Sequence, residues 1–199
     1  STIMLINKLY LERIMVIQER TKQAIELKLG KMGDYVKIDY LERTLNSGLD
    51  FETRKFVLMT LSRLYENRNM YGEAAKLIRN AAEINTTFKA KMMDLMKAVE
   101  LYIKHGNYQE ADFVFQQALT LGNTKEKADI KEMMKKAYWE TAKSYLKADK
   151  RNRARKSYEK ILTLDLSMQE KKDAQATLLN LYEKLGSIRE YYRLKESMK

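Results

Sequence analysis

The sequence of 199 residues contains no cysteine, no proline and a single histidine. Without cysteine this chain can form neither disulfides nor thiolate metal sites. A zinc site or a Ser-His catalytic pair would depend on His105 alone, and no glycine-rich elbow precedes any serine. We therefore expect no metal, no other cofactor and no enzymatic activity. We interpret His105 as a surface or helix-capping residue.

The absence of proline and the low count of seven glycines remove the residues that most often interrupt helices. No window shows the sustained alternation of β-branched residues that a sheet requires, so the sequence predicts an all-α protein. Apolar residues make up 45% of the chain, which is typical of a folded domain. No uninterrupted apolar run approaches the length of a membrane span or a secretory signal. We expect a soluble, cytoplasmic protein without membrane insertion.

One pattern of residues recurs along the chain. The segments Leu64 to Ile84 and Leu101 to Leu121 both read Leu-Tyr, then a second Tyr, a Glu-Ala pair and a further Ala, with a shift of 37 residues throughout. A third copy follows 43 residues later, and weaker copies lie before and after these three. The sequence is therefore interpreted as one repeat domain, 1–199, with five units at approximately 9–49, 50–86, 87–123, 124–166 and 167–199.

Each unit is predicted to consist of two helices joined by a tight turn. Alanine allows the two helices of a unit to approach closely, whereas tyrosine fills the wider space between neighbouring units. Asn107, after Gly106, is expected to cap the second helix of its unit. A single hairpin cannot bury both of its faces, so the units are predicted to stack. The recurring residues, called the repeat frame below, are Tyr65, Ala74, Ala81, Tyr102, Gly106, Ala111, Ala118, Tyr145, Ala154 and Tyr182.

This pattern resembles the tetratricopeptide repeat, in which a Tyr late in the first helix is followed by Gly and Tyr at the turn, then Ala, an aromatic residue and Ala. The segments "LYIKHGNYQEADFVFQQAL" and "LYENRNMYGEAAKLIRNAA" carry the resemblance best. It implies a right-handed α-α superhelix, a solenoid of about five stacked helical hairpins. The chain departs from the family in lacking the proline that closes each unit and in exceeding the usual unit length of about 34 residues.

In proteins of this family the first helices of successive units line a concave groove that receives a segment of a partner protein. The resemblance implies a groove rich in cations and methionines here, formed by Met59, Arg63, Met93, Met96, Lys97, Lys136, Trp139, Lys143 and Lys147. Met93 and Met96 are equally well explained as packing residues between units, and Trp139 as a core residue. Glu100 stands among the groove positions and would repel a terminal carboxylate, so the carboxylate clamp of the family is not carried over.

Three functions remain open from the sequence. The leading hypothesis is a non-enzymatic scaffold that binds an acidic or amphipathic segment of a partner protein in this groove. The net charge of +11 and the basic run from Arg151 to Lys156 suggest nucleic-acid binding as an alternative. That run is more typical of a solvated helix face, because Tyr145 and Tyr158 are expected inside the stack. The third is self-assembly through the C-terminal unit, as a homodimer or as the adaptor domain of a larger regulator, since Tyr191 stands where alanine is expected.

Overall fold

The computed structural model describes residues 18–198, and every regular element in this part of the chain is an α-helix. The prediction of an all-α protein is confirmed. None of the described helices is both long and apolar enough to cross a membrane. The helices are α1 Lys22–Leu29, α2 Asp34–Leu45, α3 Phe51–Asn67, α4 Tyr71–Ala82, α5 Phe88–His105, α6 Tyr108–Leu121, α7 Thr124–Lys147, α8 Arg151–Ile161, α9 Met168–Leu185 and α10 Ile188–Glu196.

Helices that follow one another in the chain pack side by side. This sequential packing runs from α2 to α6 and again from α7 to α10, and α5 also packs against α7. The buried residues form two clusters, a small one that includes Ile25 and Leu61 and a larger one that extends from Ala74 to Tyr182. Tyr65 contacts both clusters. Such packing is what a repeat protein requires, whereas the right-handed superhelix of five hairpins stays a prediction.

The turn inside a unit has the same backbone conformation in four of the predicted units. Asn69, Gly106, Asp149 and Gly186 have left-handed φ angles of 59°, 90°, 52° and 66°. The residue after each of them donates its backbone N–H to the carbonyl oxygen of a frame tyrosine, with N···O distances from 2.8 to 3.0 Å. This left-handed helix ending is adopted most easily by glycine and, among other residues, by asparagine and aspartate. The repeat in the sequence is therefore accompanied by a repeated backbone conformation at these four turns.

The first predicted unit does not share this turn. Gly33, which aligns with Gly106 in the sequence, has a φ of −73° and is the N-cap residue of α2. Tyr35, which aligns with the half-buried Tyr108, is 82% exposed. The alignment therefore does not hold for this unit, because α1 is only eight residues long and ends at Leu29, before the expected turn.

The frame alanines lie where two helices meet. Their side chains have no exposed surface at positions 74, 81, 111, 118 and 154. At Ala74 the carbonyl oxygen accepts a hydrogen bond of 2.9 Å from the buried hydroxyl of Ser62, which joins α4 to α3. A side chain larger than alanine would separate the two helices and remove such contacts.

The frame tyrosines connect successive units through their hydroxyls. Tyr182 on α9 donates a hydrogen bond of 2.9 Å to the carboxylate of Glu159 on α8. Tyr65 on α3 donates to Glu42 on α2 in the same way, and each acceptor precedes its tyrosine by 23 residues. Burial, followed by the bond to Glu42, raises the pKa of Tyr65 to about 12. Both hydroxyls therefore stay protonated and act as donors at neutral pH.

Candidate protein-binding surface

A cleft of about 610 Å³ lies between α5 and α7. Its walls come from the turn of the second unit, the C-terminal end of α5, the C-terminal half of α7 and the start of α8. Because three predicted units contribute to it, no single hairpin could form this cleft. We call it the junction cleft and define it by Tyr71, Glu100, Lys104, His105, Glu140, Ser144, Tyr145, Lys150 and Arg153.

The junction cleft lies where the repeat changes. α7 has 24 residues, whereas α5 has 18. Tyr145 on α7 does not reach a carboxylate on a second helix, as Tyr65 and Tyr182 do. It donates instead to the backbone carbonyl oxygen of Lys104, over 2.8 Å. A carbonyl in the last turn of a helix has no partner within that helix, so this bond ties the C-terminal end of α5 to α7.

One wall of the cleft carries a network of ion pairs whose charges balance. Lys97 lies 3.0 Å from Glu66 and 3.5 Å from Glu100, and Lys104 pairs with the same two carboxylates. Burial acts to raise the pKa of Glu100, but the hydrogen bond from Lys104 and the charges of both lysines outweigh it, so this pKa is lowered. Burial likewise opposes the charge on Lys104, yet its pKa is raised by Glu100 and Glu66. The charge of Glu100 is therefore compensated within the protein.

The start of α8 contributes cations that lack such compensation. Lys150 and Arg153 line the cleft and form no ion pair with a carboxylate among residues 18–198. The Arg153 guanidinium lies 5.8 Å from the centre of the Tyr145 ring. Two neighbours in the same basic run are paired, Arg151 with Asp149 at 2.8 Å and Arg155 with Glu159 at 2.7 Å.

The sequence did not identify Lys150 and Arg153 as site residues. The basic run that contains Arg153 is visible in the sequence, but a run of cations on an amphipathic helix usually serves only solubility. Packing of α5 against α7 brings the start of α8 to a cleft. No pattern in the sequence shows which cations of the run keep a carboxylate partner.

The two methionines predicted for the groove have different surroundings. Met93 is 43% exposed, whereas Met96 is 3% exposed and belongs to the larger buried cluster. Met96 is therefore a packing residue between helices and does not belong to the candidate surface. The physical reason is that α5 packs against α4, α6 and α7, so its buried face is wider than a single amphipathic stripe.

Trp139 faces the second helix of its own unit. Its ring centroid is 5.7 Å from that of Tyr158 on α8, with the rings at 86° to each other. Its Nε1 is buried and has no hydrogen-bond partner among the described residues. The ammonium of Lys143 lies 5.8 Å from the ring centre. This placement favours the core interpretation of Trp139 over a role as binding anchor.

The other predicted groove residues lie on the surfaces of three first helices. We call the exposed members the first-helix face, defined by Met59, Arg63, Met93, Lys136, Lys143 and Lys147. Lys97 is half-buried and belongs to the ion-pair network described above. Arg63 and Lys147 form no ion pair within the described part of the chain, and neither does Lys143. Lys136 pairs with Glu140 at 3.8 Å on the same helix, and both side chains are well exposed.

The last helix has little burial of its own. No residue of α10 is buried, and Ile188 and Tyr192 are 67% and 60% exposed. Tyr191 and Leu194 are half-buried and pack against the larger cluster. The described residues include no surface that covers these exposed apolar side chains. Self-association through the C-terminal unit therefore stays a prediction.

Among residues 18–198, no group of three or more carboxylate or histidine side chains is arranged to hold a metal ion. Comparison with protein-family models gives no match for this chain, and a search of curated proteins gives none either. The resemblance to the tetratricopeptide repeat therefore rests on the sequence pattern.

Proposed function

We propose that this protein is a non-enzymatic scaffold of the tetratricopeptide type, whose first helices bind a segment of a partner protein. The observation that carries the proposal is the first-helix face, where Arg63, Lys143 and Lys147 are exposed without an anionic partner in the described residues. The exposed Met59 lies on α3 together with Arg63, and the exposed Met93 lies on α5, the first helix of the next predicted unit. Such a surface suits an acidic or amphipathic segment, because methionine adapts to different apolar partners and unpaired cations attract carboxylates.

Charges elsewhere in the molecule are used to join units. Arg79 on α4 pairs with Glu110 on α6 at 3.3 Å, and Lys160 on α8 pairs with Asp112 on α6 at 2.6 Å. These pairs lie on second helices and connect neighbouring hairpins. Arg63, Lys143 and Lys147 of the first-helix face pair with no carboxylate among residues 18–198, which leaves their charge available to a partner in solution.

Nucleic acid is a less suitable ligand for this surface. Binding of single strands usually uses exposed aromatic rings on which bases stack. Tyr145 and Tyr158, the aromatic residues closest in sequence to the basic run, are 8% and 2% exposed. Arg151 and Arg155 are already paired with carboxylates. The remaining positive charge fits an acidic protein segment better, because such a segment requires no stacking surface.

Photo-crosslinking tests the proposed function. A photoreactive phenylalanine derivative replaces Met93 on the first-helix face in one variant and Lys76, which is exposed on the second helix α4, in the control. In lysate of the source cells we expect discrete adducts at position 93 that are absent at position 76. The combined change Lys143→Glu and Lys147→Glu should weaken these adducts. Equal labelling at both positions, or no adduct at position 93, would contradict the proposal.

A further inference from the structure

We propose that the junction cleft binds one acidic side chain of the partner segment, and that Lys150 and Arg153 pair with its carboxylate. This inference rests on the proposed function and specifies one contact within it. It concerns a different surface from the predicted groove, because neither residue belongs to a first helix.

The charges in the cleft are not balanced within the described protein. The two acidic residues of the cleft have lysine partners in the protein, Glu100 with Lys97 and Lys104, and Glu140 with Lys136. Lys150 and Arg153 have no carboxylate partner in the described part of the chain. The cleft therefore presents two uncompensated positive charges, and an anionic group is the ligand that balances them.

The hydrogen-bond donors in the cleft suit a carboxylate. A guanidinium such as that of Arg153 can donate two parallel hydrogen bonds to one carboxylate, and the Lys150 ammonium adds a second charge. Ser144 also lines the cleft, and its hydroxyl forms no hydrogen bond with another described residue. All three side chains line the same cleft and are exposed, so a carboxylate from solvent has access to them.

The size and position of the cleft suit one side chain of a longer segment. A volume of about 610 Å³ is too large for a carboxylate alone and falls within the range of about 300 to 1,000 Å³ that is usual for ligand sites. Lys143 and Lys147, on the first-helix face, lie on the same C-terminal part of α7 as Ser144 and Tyr145 of the cleft. A segment that lies along this face can therefore place one side chain in the cleft.

The test is selection from a random peptide library displayed on phage with the C-terminus of each peptide fused to the coat protein, so that no free terminal carboxylate is present. The wild-type protein is compared with the double variant Lys150→Glu, Arg153→Glu. The matched control is Lys156→Glu, which changes an exposed cation of α8 outside the cleft. We expect wild type and control to select peptides that share Asp or Glu at one position. The double variant should select Lys or Arg there instead.

A second measurement on the wild-type protein does not depend on the folding of any variant. A selected peptide is synthesised with its shared acidic residue unchanged, replaced by Gln, or replaced by phosphoserine. The Gln peptide should bind about tenfold more weakly, as expected for the loss of charge-assisted hydrogen bonds. Tighter binding of the phosphoserine peptide than of the acidic one would overturn the assignment to a carboxylate.

The outcomes separate the two proposals. Peptides that bind wild type and the double variant equally well would overturn the inference and leave the scaffold function standing. Loss of binding in the Lys156→Glu control to the same extent would also overturn it, because charge alone would then explain the effect. Failure of the wild-type protein to select any peptide would contradict the scaffold function itself.

Discussion

The hydroxyl of Tyr145 donates a hydrogen bond of 2.8 Å to the backbone carbonyl oxygen of Lys104. Tyr145 belongs to the repeat frame, and its side chain is almost fully buried. The ammonium group of Lys104 pairs with Glu66 and Glu100 in the ion-pair network. One contact thus links the backbone of α5, the frame of the next unit and a wall of the junction cleft.

Removal of this hydroxyl tests its contribution. Tyr145→Phe keeps the ring but leaves the Lys104 carbonyl without its partner, so we expect the free energy of unfolding to fall by about 1 kcal/mol. Urea denaturation followed by circular dichroism measures the change. Tyr192→Phe is the control, because Tyr192 is 60% exposed on α10. A loss of equal size in the control would show that the bond to Lys104 contributes nothing specific.

The left-handed turn at Gly106 predicts a difference between two glycines. At both Gly106 and Gly33 an added Cβ would meet no atom of residues 18–198 within 4 Å, but only Gly106 of the two has a left-handed φ, 90°. Gly106→Ala should therefore lower the free energy of unfolding by about 1 to 2 kcal/mol through backbone strain alone. Gly33→Ala, at a φ of −73°, adds no such strain and should lower it by only about 0.5 kcal/mol, because alanine is a poorer N-cap than glycine. Equal thermal stabilities of the two variants would contradict the left-handed turn.

Two tyrosines in contact are expected to respond oppositely to loss of the hydroxyl. Tyr138 is fully buried and its hydroxyl has no hydrogen-bond partner in residues 18–198, whereas the hydroxyl of Tyr108 lies 2.6 Å from that of Ser157. Tyr138→Phe should raise the free energy of unfolding by about 1 kcal/mol, because an unpaired buried polar group is removed. Tyr108→Phe should lower it by a similar amount. Chemical denaturation of both variants decides, and the same sign for both would show that Tyr138 does have a partner.

The lowered pKa of Glu100 predicts a pH-dependent contribution to stability. Because the pKa is lower in the folded protein, this carboxylate stabilises the fold above its unfolded pKa, and the contribution disappears as the pH falls through the folded pKa. Glu100→Gln should therefore be less stable than the wild type at neutral pH and equally stable at strongly acidic pH. Denaturation midpoints measured across this range test the prediction. Glu183→Gln, at an exposed residue without an ion pair in the described chain, should show no such trend.

Much of the local structure could be predicted from the sequence. Asn107 caps α6 as expected, since its side chain accepts a hydrogen bond of 3.2 Å from the backbone N–H of Glu110. The turns at Gly106 and Gly186 follow from glycine at the end of an apolar helical pattern. Those at Asn69 and Asp149 are visible only through the repeat, because these residues adopt the left-handed region less often than glycine.

The binding surface was less predictable. Met93 and Met96 are close in sequence and identical in chemistry, yet one is exposed and the other buried. Their burial depends on the three helices that surround α5, which no local pattern specifies. Trp139 was a candidate binding anchor because no local pattern specifies its burial either. In the structure it packs on Tyr158.

The amino-acid sequence by itself determined that this chain is helical, where four of its turns lie and which alanines and tyrosines recur. These features depend on hydrogen bonds and apolar spacing within a few residues of each position. Only the tertiary structure decided which charges are compensated. Lys104 pairs with Glu66, 38 residues away, whereas Lys150 and Arg153 form no ion pair in the described chain. An ion pair between distant residues exists only after their helices have packed, so the free cations of the junction cleft appear only in the folded molecule.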